Sequence, residues 1–136
     1  MKWIYGRQDW KTLERGLENC YLLTNGLGGF SSLTMTGAVA RNDHSVFMVC
    51  TKAPNHRVNM VHRIKEELDI GETKYVLSTQ EFADGTKEEG YRYLTEFSFE
   101  ILPSWRYLIN GIEIEKEIVM AQGSNQIAVN YHLKNR

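Results

Sequence analysis

The sequence predicts a mainly-β fold, an antiparallel β-sandwich with a short N-terminal helix, and three observations carry that expectation. Asn110-Gly111 lies between the apolar-alternating runs Trp105 to Ile109 and Ile112 to Met120, and Asn-Gly is the favoured pair for a two-residue type I′ hairpin. Alternation continues through Phe97, Phe99 and Ile101 before it, and through Ile127, Val129, Tyr131 and Leu133 after it. Turn residues recur at short spacing while the whole chain holds only 2 prolines, which suits a meander of strands around one core.

In chain order, Asp9 precedes Trp10, Leu13 and Leu17 at helical spacing with Gly16 near the end, which predicts the short helix. Tyr21 to Leu23 reads as a brief strand, a glycine-dense loop follows, and Ser31 to Val39 reads as a second strand. Val46 to Thr51 is nearly continuous in apolar and β-branched residues, as in a central strand covered on both faces. Val58 to Ile70 fits both periodicities, and its context favours strand. Gly71 turns the chain into a hairpin partner at Lys74 to Ser78, Thr79 to Glu89 reads as a polar loop, and Gly123-Ser124-Asn125 introduces the last strand.

The chain has 136 residues, 42% apolar and 24% charged, enough for one domain, residues 1–136, with its own core. A net charge of −1 gives no electrostatic basis for a nucleic-acid or anionic-membrane partner and favours neutral or small ligands. No 18-residue apolar run and no signal-peptide pattern is present, so a cytoplasmic protein is expected. Cys20 and Cys50 lack C-x-x-C spacing and sit among apolar residues, which predicts buried free thiols. Gln126 to Leu133 is a strong strand only three residues from the last residues Lys134, Asn135 and Arg136, the pattern of a cut polypeptide. Such a cut leaves an unpaired sheet edge, and unpaired edges invite self-association.

The densest local signal is Tyr21 to Phe30. Gly26, Gly28 and Gly29 in four positions predict positive φ or a close backbone approach, either as a tight corner or as a loop presenting amides to a ligand beside Asn25. The spacing matches neither G-x-G-x-x-G nor the P-loop, so phosphate is not the expected ligand. Arg41, Asn42, Asp43 and His44 gather four functional groups at one connection, either a solvated turn or a binding loop. Tyr91-Arg92-Tyr93, with Trp105, offers aromatic faces and a fork of donors that suit sugar rings, although aromatic residues in a β domain also build cores. The histidines and cysteines lack metal-ligand spacing, and no G-x-S-x-G occurs. Glu66 and Glu67 are adjacent, so on a strand they point to opposite faces and do not form a facing glycosidase pair.

Leu22 to Phe30, then Arg41 and His44, then Gly90-Tyr91-Arg92-Tyr93-Leu94 resemble, in that order, the N-terminal domain of bacterial and archaeal glycogen debranching enzymes of the amylo-α-1,6-glucosidase type. Leu77-Ser78-Thr79, Pro103 with Trp105, Ile114-Glu115-Lys116 and Asn125 extend the likeness over most of the chain. The resemblance implies a supersandwich-like β-sandwich beside a C-terminal (α/α) toroidal catalytic domain, shaping the approach of branched α-glucan, whether glycogen or maltooligosaccharide. It places the general acid and base in the toroid, so it implies no catalytic residue, cofactor or metal in this chain, which alone would be inactive. It marks Asn25, Gly26, Gly28, Gly29, Arg41, His44, Tyr91 and Arg92 as substrate- or cleft-facing candidates. The chain departs from the family where Asn42-Asp43-His44-Ser45 replaces a basic residue, an aromatic, histidine and glycine, which puts sugar stacking at that loop in doubt. Two other roles stay open, a purely structural packing module and a free-standing carbohydrate-binding module.

Overall fold

The computed structural model describes residues 2–52 and 56–135, and these build antiparallel β-structure throughout. The strands are β1 (Trp3–Gly6), β2 (Leu23–Thr24), β3 (Phe30–Ser32), β4 (Ser45–Lys52), β5 (His56–Val61), β6 (Glu67–Ile70) and β7 (Thr73–Val76). They continue as β8 (Thr79–Glu81), β9 (Lys87–Glu89), β10 (Leu94–Phe99), β11 (Pro103–Ile109), β12 (Ile112–Met120) and β13 (Ile127–Asn135). One sheet runs β1-β10-β11-β12-β13 and a second β2-β3-β4-β5, while β6–β7 and β8–β9 are separate hairpins.

The predicted meander is present. Asn110 and Gly111 hold φ of 48° and 78°, the double positive φ of a type I′ turn, and Ile109 pairs with Ile112. Strand β11 buries Pro103, Trp105, Tyr107 and Ile109 in strict alternation, and β12 answers with Ile114, Lys116, Ile118 and Met120. Strand β4, paired on both sides, buries Val46, Phe47 and Met48 consecutively, as expected of a strand covered on both faces. The ambiguous stretch resolves into β5 and β6, with the predicted turn at Gly71.

The two larger sheets share one core. Tyr21, Leu33, Met35 and Val46 from the second sheet and its connections meet Phe97, Trp105, Tyr107, Ile114 and Ile118 of the first. The Trp105 indole Nε1 donates to the Met35 carbonyl at 3.0 Å, and the Tyr21 ring meets Trp105 edge-on at 5.5 Å, so buried polar and aromatic contacts tie the layers together.

Four expectations are corrected. The N-terminal helix does not form; the segment folds as two 3₁₀ turns, Arg7–Trp10 and Arg15–Leu17. Asp9 Oδ2 accepts the Gly6 N–H at 2.9 Å, closing a turn behind it instead of capping a helix ahead of it, while Trp10 and Leu13 still reach the core. Strand β3 is shorter than Ser31 to Val39, because Thr34 Oγ1 takes the Ala38 N–H at 2.9 Å and bends the chain. The polar segment Thr79 to Glu89 is a hairpin, its turn closed by Asp84 Oδ1 accepting from the Thr86 N–H and hydroxyl. Neither cysteine is buried: both are free thiols, Cys20 exposed and Cys50 partly so.

Among the described residues no helix is long and apolar enough to cross a membrane. Among the described residues strand β13 pairs only with β12 and stands at the sheet edge, with Tyr131 and Leu133 exposed.

Candidate functional site

Asn25 is the centre of the glycine loop, and its side chain is fully buried. Its Oδ1 accepts the N–H groups of Leu27 at 2.9 Å and Gly29 at 3.1 Å. Its Nδ2 donates to Asn125 Oδ1 at 3.0 Å and to the Ser124 carbonyl at 3.3 Å, while the Gly123 N–H donates to the Asn25 carbonyl at 2.8 Å. A primary amide offers two donors and a carbonyl oxygen with two lone pairs, so this one is saturated within the fold. Asn25 therefore shapes the loop and clamps it to the β12–β13 turn; it has no hydrogen-bonding group left over for a ligand.

The loop it shapes has the backbone that three glycines predict. Gly26 and Gly28 sit at φ of 82° and 87°, and a Cβ on Gly28 would stand 3.0 Å from that of Cys50. Gly26 and Gly28 are exposed, Gly29 is buried, and Leu27 projects outward between them. Arg57 of β5 locks the outer side: its Nε donates to the Gly28 carbonyl at 3.0 Å and its guanidinium lies 5.7 Å over the Phe30 ring.

The loop borders an open groove of about 950 Å³. Phe30 and Met48 give it apolar surface, Arg57 a cation, and Asn42 and Asp43 an amide and a carboxylate. Two connections that the sequence marked separately thus meet at one hollow, lined by Gly26, Gly28 and Gly29 of the first and by Asn42 and Asp43 of the second, but not by Asn25, Arg41 or His44. Within the second, His44 is buried and its Nδ1 accepts the N–H groups of Ala40 at 2.9 Å and Arg41 at 3.1 Å. Such an acceptor nitrogen carries no proton, so the ring is neutral with its hydrogen on Nε2. Burial lowers the His44 pKa below the ordinary 6.5, against an opposing pull from Asp43 and with a smaller contribution from Arg41 in the same direction as burial. Arg41 is exposed, and among the described residues its guanidinium makes no ion pair with a carboxylate.

Tyr91 and Arg92 line a different hollow, of about 330 Å³, with Arg7, Trp10 and Lys11. They belong to a 3₁₀ turn, Gly90–Arg92, pressed so closely on the chain that a Cβ on Gly90 would fall 1.7 Å from the Leu77 carbonyl oxygen. The Arg92 fork is engaged: Nε and a terminal nitrogen donate to Glu89 Oε2 at 3.0 and 2.8 Å, and the Tyr91 hydroxyl donates to the same oxygen at 3.3 Å. The Arg92 guanidinium lowers the Glu89 pKa and Glu89 raises that of Arg92. Trp105 stands nowhere near solvent: it is a core residue with Lys116 Nζ 4.8 Å above its ring.

The carboxylates are engaged in pairs. Glu66 is buried and accepts from Lys116 Nζ at 2.8 Å and from the Tyr131 hydroxyl, whereas Glu67 points outward to Lys65 and Lys74, so the two neighbours do face opposite ways. Glu88 pairs with Arg63. Among the described residues no cluster of histidine, cysteine and carboxylate groups has a geometry that holds a metal ion. What the arrangement offers is an open groove lined by aromatic, amide and ionic groups on a hydrogen-bonded loop. Sequence reasoning missed Arg57, because its partner Gly28 is 29 residues away and only the β4–β5 register, which pairs Cys50 with Arg57, brings them together.

No curated protein and no solved structure matches the chain. The family model described as glycogen debranching enzyme N terminal matches residues 19–136, which takes in the glycine loop, the Arg41–His44 connection and the Asn125 turn that holds them. The chain belongs to the glycogen debranching enzyme N-terminal family.

Proposed function

We propose that the chain is the β-sandwich N-terminal domain, residues 1–136, of a cytoplasmic glycogen-debranching glycoside hydrolase, and that its groove faces branched α-glucan at the approach to a C-terminal (α/α) toroidal catalytic domain. The observation that carries this reading is the clamp of Asn25 on both its own loop and Asn125, which holds exposed glycine backbone in one fixed shape at the rim of the groove. Preorganised backbone and a mixed polar and aromatic lining are what a neutral polyhydroxyl ligand needs, since each contact contributes only about 1 kcal/mol against water. The role is contact and positioning, and proton transfer belongs to the toroid. Within the groove, Gly26, Gly28, Asn42, Asp43 and Arg57 are the contact residues, while Asn25, Gly29 and His44 hold them.

Amide shifts followed during titration with maltooligosaccharides and with a branched glucan test it. Saturable shifts confined to residues 26–30 and 42–43 are the expected result. Silence at those positions with every glucan favours the second reading, a module that only packs against its catalytic partner. That reading draws support from the internal saturation of Asn25 and from the separation of Tyr91 and Arg92 from the groove.

A further inference from the structure

Strand β1 was not legible in the sequence, and it places an aromatic surface beside the groove. Trp3 and Tyr5 pair across the sheet with Phe99 and Phe97, so four aromatic residues stand on one face at the outer edge of the five-stranded sheet. Burial grades along the row: Phe97 is in the core, Tyr5 and Phe99 are partly covered, and Trp3 is 56% exposed. Behind them the Tyr21 ring stacks on Phe99 at 6.3 Å with 23° between planes, which holds the surface rigid. These rings line a hollow of about 260 Å³ whose wall also includes Cys20, Tyr21 and Leu22. The same three residues line the groove beside the glycine loop, so the two hollows share a wall.

We infer that Trp3, backed by Phe99, is a stacking platform for a second sugar ring of the same oligosaccharide, extending the groove into a site that holds several linked pyranoses. This rests on the reading of the groove as glucan-facing, and it adds a residue outside the matched segment 19–136. The chemistry favours a glycan over an apolar ligand. Flat rings offer their faces to the C–H side of a pyranose, and the adjoining groove supplies the partners for hydroxyls in Asn42, Asp43 and Arg57. The opposite charges of Asp43 and Arg57 suit a neutral polyhydroxyl chain better than an ion.

The chain reports on this site by itself, because its other two tryptophans, Trp10 and Trp105, are 2% and 0% exposed. Titration with maltoheptaose is expected to change Trp3 emission and its indole N–H shift with the same Kd as the shifts at residues 26–30. Trp3→Ala is expected to weaken maltoheptaose binding by about three- to tenfold in calorimetry, and Trp3→Phe to recover most of it. Each variant's amide spectrum verifies that the sheet is intact. Groove shifts that saturate while the Trp3 indole stays still overturn the platform and leave the groove reading standing. No shift at either place overturns both. Trp3 emission that changes with protein concentration and not with sugar overturns the platform in favour of contact between copies of the chain.

Discussion

At the scale of single residues, Asn25 shows how one buried amide can fix the shape of a loop at the rim of a groove. Asn25→Ala removes two bonds accepted by Oδ1 and two donated by Nδ2 at a fully buried position. The expected cost is about 2–3 kcal/mol in urea denaturation, with amide shifts spread over residues 26–29 and 123–125. His44 makes a pH prediction whose sign follows from its buried, neutral ring. Its folded-state pKa lies below 6.5, so the unfolded chain binds more protons just under that value. The stabilisation is fully present above about pH 6.5 and falls as the pH drops through that value toward the lowered one. Urea midpoints near pH 7.5 and about pH 5.5 should therefore differ less in His44→Ala than in the parent chain; an equal difference would count against the assignment. Gly90→Ala places a methyl group 1.7 Å from a backbone oxygen, and should cost about 3 kcal/mol or prevent folding.

At the scale of elements, the hairpins at Gly71 and Asn110-Gly111 were legible, the β8–β9 hairpin was not, and the candidate site was only half so. Asn110-Gly111 announces its turn because the two residues carry the required φ themselves, and the alternation of β11 to β13 follows from burial on one face. Periodicity failed where a side chain took over a backbone bond, at Asp9 and at Thr34, since such local competition leaves no repeating signal. The glycine loop and the Arg41–His44 connection were both visible, but their meeting was not, and neither was the distance of Tyr91 from both. Strand pairing decides those relations, and it is read from register, not from spacing. The Glu66–Lys116 pair is a further product of pairing, joining the lead-in to β6 with β12 and, through Tyr131, with β13. Glu66→Gln leaves the lysine ammonium buried without its anion, and is expected to cost about 3–5 kcal/mol. Glu66→Gln with Lys116→Met should restore most of that loss in thermal or urea unfolding, because the buried charge is then gone as well.

At the scale of the whole molecule, the outer edge of β13 makes a prediction about association. Among the described residues its nine residues pair on one side only, and Val129, Tyr131 and Leu133 share a face. Antiparallel pairing of two copies about Tyr131 would align Val129 with Leu133 of the other, so association is expected to rise with concentration in sedimentation runs. Val129→Lys should shift that equilibrium toward monomer, as a lysine on an edge strand does elsewhere. The Asn25 clamp also carries a temporal consequence. Asn25 and Asn125 are separated by 100 positions, yet the loop takes its shape only when both are in place. During synthesis at about 5–20 residues per second, the loop waits roughly 5–20 s for the turn that completes it. Over that interval Asn25 has half its hydrogen-bond partners missing, so the groove matures only after Asn125 has left the ribosome.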